Sequence, residues 1–188
     1  MLRKDLLTTE LCRPYLRAGE HLLDYGSGKG RLGALIRDTI AVRVTGVDIT
    51  DYRETDIPLA LYDGKQLPFS DETFDVSLAA CVLHHHSDPE LGIRELRRVT
   101  RRTVLVVEDA WTGWLNRWCL YVAEFLCNRW NSARIPLPYH FMRPEVWTDL
   151  FRKNRLRVID ERRFRYGLFW HVLFVLEPVR EGSGLDRA

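Results

Sequence analysis

Three glycines at alternate positions, Gly26, Gly28 and Gly30, follow Asp24 in the stretch Leu22–Gly33, which reads LLDYGSGKGRLG. An apolar run ends at Asp24 and a helical pattern begins after Gly30, so the glycines form a tight turn between a strand and a helix N-terminus. Glycine lets such a turn take φ > 0 and lets a ligand approach the backbone. In an open α/β sheet this place lies above the carboxyl end of a parallel strand, where small polar ligands bind. The spacing separates kinds of ligand. A dinucleotide fingerprint would put its third glycine where Arg31 stands, and a phosphate loop would follow Lys29 with Ser or Thr, where Gly30 stands. Further along, His84, His85 and His86 end another apolar run. Histidine is the side chain best suited to proton transfer near neutral pH, but three consecutive side chains in a loop do not all face one atom.

The elements that hold these residues follow from patterning. Residues 1–19 carry a weak helical pattern (Leu6, Leu7, Leu11) that stops near Pro14, and form an N-terminal helical segment ahead of a single domain over 20–178. Glu20–Tyr25 reads as the first strand, Arg31–Thr39 as the first helix, and the β-branched, alternating Ala41–Ile49 as the second strand. Pro58–Tyr62 is a short third strand, and Thr73–Val82 a fourth, apolar almost throughout as a strand covered on both faces should be. Pro89–Val99 is a surface helix, and Thr103–Val107 a fifth strand ending in Glu108 and Asp109. Pro144–Lys153 is a helix with proline in its first turn. Leu156–Phe164 and His171–Leu176 are the last strands, and residues 179–188 a flexible tail. Alternating strands and helices imply a parallel sheet, and the final pair, with no helix between them, predicts a hairpin and an antiparallel last strand. The gap between Asp48 and the third strand is too short for an ordinary helical crossover. A helix there is vestigial or absent, which would open that end of the pocket.

Composition narrows the function classes. The chain has 188 residues, 46% hydrophobic and 29% charged, as an ordinary globular domain does. Its formal charge of +2 predicts no polyanion partner, and a nucleic acid is not expected. Arginine outnumbers lysine 24 to 4, with clusters at Arg94–Arg102 and Arg152–Arg165. Interleaved Asp and Glu, with no aromatic stacking pattern, read as a solvated surface rather than a nucleic-acid patch. Cys12, Cys81, Cys119 and Cys127 lack metal-site spacing, and no metal is expected. No secretory signal is evident, which fits a reducing cytoplasm. The longest apolar run, Leu168–Leu176, is interrupted by His171 and is too short to span a bilayer.

The order D-x-G-x-G-x-G (Asp24–Gly30), Asp48 in VTGVDIT, Asp63-Gly64, LPFSDETFDVSLAACVLHH (Leu67–His85) and RELRRV (Arg94–Val99) resembles the class I S-adenosylmethionine-dependent methyltransferases. Within them it is similar to the small-molecule, type 11 enzymes that include those of ubiquinone and menaquinone synthesis. The usual Lys-Pro-Gly-Gly turn before the fifth strand is missing, and Arg101-Arg102 stands there. The resemblance implies a Rossmann-like, doubly wound, seven-stranded, mainly parallel sheet, with S-adenosylmethionine as methyl donor and S-adenosylhomocysteine as product. It implies cofactor contacts from Asp24, Gly26, Ser27, Gly28, Asp48, Ile49, Asp63, Gly64 and Cys81. Gly26 and Gly28 would admit the methionine part, Asp48 would receive the ribose hydroxyls, and Asp63 the adenine amino group. Asp24 is also read as a cap on the amides of its own turn.

In this fold the end of the fourth strand faces the methyl group, which makes His84 and His85, with His86 beside them, candidates for a base. The segment also discriminates by absence. It has no Asn/Asp-Pro-Pro-aromatic motif of amino-methylating nucleic-acid enzymes, no Pro-Cys nucleophile, and no paired glutamates of the protein arginine methyltransferases. Trp111–Trp130 shows a broad apolar face at helical spacing and reads as part of an insertion, 111–143, over a small apolar or aromatic acceptor. Packing on the sheet, a homodimer face and peripheral lipid contact are the other readings of that face. Trp111, Trp114, Tyr139 and His140 are the acceptor-side candidates. Two further functions stay open: methyl transfer to RNA or protein, and a non-catalytic module that binds the cofactor or a protein partner.

Overall fold

The computed structural model describes residues 2–110 and 140–180. Trp111, Trp114 and Tyr139, most of the expected insertion and nearly all of the expected tail lie outside the described residues.

The alternating apolar segments form one seven-stranded sheet: β1 (His21–Tyr25), β2 (Arg43–Asp48), β3 (Leu59–Leu61), β4 (Phe74–Ala80), β5 (Thr100–Ala110), β6 (Leu156–Tyr166) and β7 (Phe169–Pro178). Their order is β3-β2-β1-β4-β5-β7-β6. The first five strands are parallel, and β7 runs antiparallel between β5 and β6. This is the doubly wound, Rossmann-like sheet that the resemblance implies, with the antiparallel last strand that the patterning predicted. The helices are α1 (Leu2–Cys12), α2 (Arg31–Ile40), α3 (Pro89–Val99) and α4 (Pro144–Lys153), with short 3-10 turns at Arg13–Tyr15 and Leu83–His85.

Both sheet faces are covered because successive strand residues point to opposite sides. Leu23, Val106 and Phe174 pack with Ile93 and Leu96 of α3 and with Trp147 and Phe151 of α4. Leu22, Leu105 and Val175 pack on the other face with Cys12 of α1, Ile36 of α2 and Leu16. Asp88 caps α3 by accepting the Leu91 N–H, and Pro89 fills its first turn.

Several element ends differ from the sequence reading, and the largest differences have local reasons. Ala41 does not open β2. It has φ 61 and closes α2 by donating its N–H to the Arg37 carbonyl. β5 does not stop at Val107, because its ladder with β7 continues through Glu108↔Val172, Asp109↔His171 and Ala110↔Trp170. The last two strands extend to a two-residue turn at Gly167-Leu168, where Gly167 has φ 61. As expected, residues 49–58 contain no helix, and Ile49 and Leu61 beside this gap are 45% and 56% exposed. With the Lys-Pro-Gly-Gly turn missing, α3 passes straight into β5 between Val99 and Thr100. The arginines around that junction meet carboxylates: Arg98 with Glu95 and Asp71, Arg101 with Asp75, and Arg102 with Glu20.

β1 has β2 on one side and β4 on the other, so the winding reverses there and a crevice opens above their carboxyl ends. Gly26 leaves β1 at φ 67, and a Cβ on it would lie 2.2 Å from Val82 Cγ2 in the segment that follows β4. Gly26→Ala therefore combines a left-handed backbone with a collision. It should destabilise the fold by about 2–4 kcal/mol, read from chemical denaturation midpoints; wild-type stability would refute the close approach.

Candidate functional site

The crevice is a cavity of about 960 Å³. The turn 26–28, the ends of β2 and β4, residues 62–65 and one face of α1 line it. Gly28, at φ 51, has nothing within 4 Å of where a Cβ would stand, so open space lies next to the backbone there. Gly26 is glycine for packing against Val82, whereas Gly28 is the residue that leaves room for a ligand.

Carboxylates fix this turn. Asp48 Oδ2 accepts the Gly28 N–H at 2.7 Å and Oδ1 accepts the Ile49 N–H at 2.7 Å. Burial raises the Asp48 pKa, and these N–H donors oppose the shift. Each carboxylate oxygen keeps further acceptor capacity toward the cavity. Asp63 closes its own loop by accepting from the Lys65 N–H (2.9 Å) and the Gln66 N–H (3.3 Å), which hold its pKa below the usual value. Gly64 follows at φ 79. Asp24 is 3% exposed, and its Oδ2 has no hydrogen-bond partner among the described residues. Burial pushes its pKa up to about 7, reinforced by Asp48 and Asp5 and opposed by the Gly33 N–H. Ser27 Oγ is likewise buried without a partner.

Beyond β4 the chain turns at Cys81, which has φ 53 and whose thiol accepts from Lys4 Nζ at 3.1 Å. Burial pushes that thiol up to about 12, so it is protonated at neutral pH. The histidines divide. His84 is 1% exposed, and its Nδ1 meets Glu108 Oε2 at 2.5 Å. Its ring stacks on Phe141 with centroids 5.0 Å apart. It is not among the residues that line the cavity, and its partner Glu108 is an interior residue of β5. Glu108 Oε1 also accepts the Leu83 N–H at 2.9 Å, so one carboxylate fastens the whole turn. His85 and His86 are in the wall. Burial, with His84 next to it, pushes the His85 pKa down to about 3, opposed by Asp109; burial also lowers that of His86, whose Nδ1 accepts the Asp88 N–H. Both imidazoles are neutral near pH 7. The His140 N–H donates to the His84 carbonyl at 2.8 Å, so the described chain re-enters beside this turn. Among the described residues, no three His, Cys, Asp or Glu side chains are grouped to hold a metal ion.

Residues 23–107 match the family model for a methyltransferase domain. This segment is thus similar to the class I S-adenosylmethionine-dependent methyltransferases. It is 32% identical over 90 residues to a demethylmenaquinone methyltransferase of Corynebacterium kroppenstedtii, covering 45% of this chain and 39% of that protein. The chain thus spans well under half the length of this curated relative. The fold resembles the methyltransferase solved with the Haloferax volcanii Trm112 activator (TM-score 0.74, 18% identity, 94% of this chain and 89% of that one). It also resembles the Burkholderia thailandensis 1,6-didemethyltoxoflavin-N1-methyltransferase, solved with that substrate and S-adenosylhomocysteine (TM-score 0.69, 15% identity, 94% and 78%).

The cavity fits S-adenosylmethionine on its own evidence. It has bare backbone at Gly28, buried polar atoms without partners on Asp24 and Ser27, and acidic groups suited to a cationic ligand. Sequence reasoning missed two contributors. α1 sends Lys4, Asp5 and Thr8 into the wall, although its apolar pattern is weak. Glu108 was legible only as a strand end, not as the clamp on the histidine turn.

The Asp24 environment has a pH consequence. In the unfolded chain this carboxyl ionises near 3.8, whereas in the fold it keeps its proton to about 7. Stability therefore falls as pH rises through that window. Asp24→Asn should remove a loss on the order of a few kcal/mol between pH 4 and 8, seen as a flatter stability–pH curve by denaturant titration; a curve parallel to wild type would contradict the assignment.

Proposed function

We propose that the protein transfers a methyl group from S-adenosylmethionine to a small acceptor with an apolar or aromatic part. The observation that carries this reading is the crevice at the sheet's switch point, where an open glycine backbone, a carboxylate bonded to it and neutral histidines border one cavity. A demethylmenaquinone enzyme and a toxoflavin-precursor enzyme among the similar proteins support a small acceptor.

In this reading the Gly26–Gly28 turn receives the amino-acid part, Asp48 and Ile49 border the ribose, and Asp63 and Gly64 border the adenine. When bound, the cofactor supplies a methyl carbon on a positively charged sulfur. Transfer of that methyl to the acceptor's electron pair would leave S-adenosylhomocysteine as the other product. The chain's part is to hold the two in line and keep water out, which by itself supplies much of a rate. Where the acceptor atom carries a proton, the neutral imidazole of His85 takes it as methylation makes that proton strongly acidic, since a base with a pKa near 3 accepts only acidic protons. The protonated thiol of Cys81 is wall rather than nucleophile. Trp111, Trp114, Tyr139 and His140 belong to the acceptor side, and the cytoplasm is the compartment that suits the chain.

Asp48→Ala should weaken S-adenosylhomocysteine binding by about tenfold or more in isothermal calorimetry, because a charge-assisted hydrogen bond is lost and the Gly28 turn is released; unchanged affinity would overturn the role. His85 acts as a base only when unprotonated, and its pKa lies near 3. The kcat/KM profile should therefore show no acid limb from this residue above pH 5, and His85→Ala should lower kcat without creating one.

A further inference from the structure

The β6–β7 hairpin ends in an apolar tip. Tyr166 and Phe169 flank the turn at Gly167-Leu168, and Trp170 follows. Leu168 is 81% exposed and Trp170 42%, while Tyr166 and Phe169 are half-buried. Among the described residues no other large apolar side chain is as exposed as Leu168. A two-residue hairpin turn commonly pairs glycine with Asn or Asp, so the geometry of the turn does not call for a leucine there.

The charge behind the tip has one sign. From Phe164 to Leu176 the chain contains no Asp or Glu. Arg165 lies directly across from Trp170 and Arg163 across from Val172, so these four residues share one face of the hairpin. Arg165 donates to the Gly167 carbonyl at 3.1 Å and forms no ion pair among the described residues. Arg162 and Arg163, further back, are paired with Asp160 and Glu161. The level of Arg165 and Trp170 is two residues behind Leu168, about 7 Å at the rise of a strand. Apolar turn, aromatic ring and unpaired guanidinium thus follow one another over a few ångströms.

That order matches the layers of a membrane surface. Apolar side chains of a surface-bound element sit roughly 5–10 Å into the headgroup and acyl boundary. Tryptophan and tyrosine favour the headgroup level, and arginine is drawn to an anionic leaflet. A protein interface of standard size takes roughly 20–30 residues a side, far more than a protruding turn presents. Trp170 pairs with Ala110, the last residue of β5, so the tip projects from the edge of the sheet at which the parallel strands end and the crevice opens.

We propose that the β6–β7 tip seats the chain on an anionic phospholipid bilayer, with Leu168 and Trp170 in the interface and Arg165 at the phosphates. The seat itself stands apart from the methyl-transfer reading. Its consequence, an apolar acceptor met at the bilayer, rests on that reading.

The test sediments the full chain, without cofactor, with phosphatidylcholine vesicles made with and without phosphatidylglycerol. Wild type should bind the mixed vesicles, less as salt is raised, and bind phosphatidylcholine alone poorly. Leu168→Asp should weaken binding about tenfold or more, and Arg165→Gln about fivefold. Leu168→Asp should keep the wild-type denaturation midpoint, since that side chain is exposed. Wild type that ignores mixed vesicles, or Leu168→Asp that binds them as wild type does, would overturn the seat. So would sedimentation velocity showing that wild type self-associates without lipid and Leu168→Asp does not, which would make the tip an interface between copies. Calorimetry with S-adenosylhomocysteine on the same protein reads the cofactor site separately. No heat there, with vesicle binding intact, would remove the consequence for the acceptor and leave the seat.

Discussion

Val82 occupies the volume that any side chain at position 26 would need, and the crevice depends on that contact. The turn that leaves β1 and the segment that leaves β4 are brought together by it at the point where the winding of the sheet reverses. Because Gly26 yields to Val82, the next exposed backbone is Gly28, and the Asp48 carboxylate pins it from the end of β2. Three consecutive strands of the sheet thus meet through one glycine, one valine and one aspartate. Any looser arrangement would separate the floor of the cavity from its wall.

The second organising feature is an excess of buried acid. Asp24, Asp48 and Asp5 share one neighbourhood, and burial raises the pKa of each. Backbone N–H groups satisfy Asp48, whereas Asp24 retains an oxygen without a partner. Such an arrangement costs stability in the empty protein and favours a ligand that brings positive charge. Around the histidine turn the balance differs. Glu108 is matched by the His84 imidazole and the Leu83 N–H, so that acid fixes shape instead of awaiting a ligand.

Much of this was legible in the chain because it is local. The glycine turn, the alternation of strand and helix, the short gap after Asp48 and the closing hairpin are all written over a few residues. What was hidden depends on residues far apart in sequence. Ala41 has the β-branched company of a strand, yet the α2 carbonyl at Arg37 claims its N–H. Glu108 and Asp109 look like the polar end of a strand, but β7 extends the ladder past them. His84 and His85 are indistinguishable as letters. Only the placement of Glu108, 24 positions on, turns one inward and leaves the other at the cavity. The weak pattern of α1 gave no sign that its polar face looks into the crevice.

The bare connection over residues 49–58 has a kinetic consequence. A helix in this position would roof one end of the cavity, but here that end stops at a three-residue edge strand with Ile49 and Leu61 turned to water. Whatever is bound at that end is covered by loop and strand alone, and its release requires no helix to move.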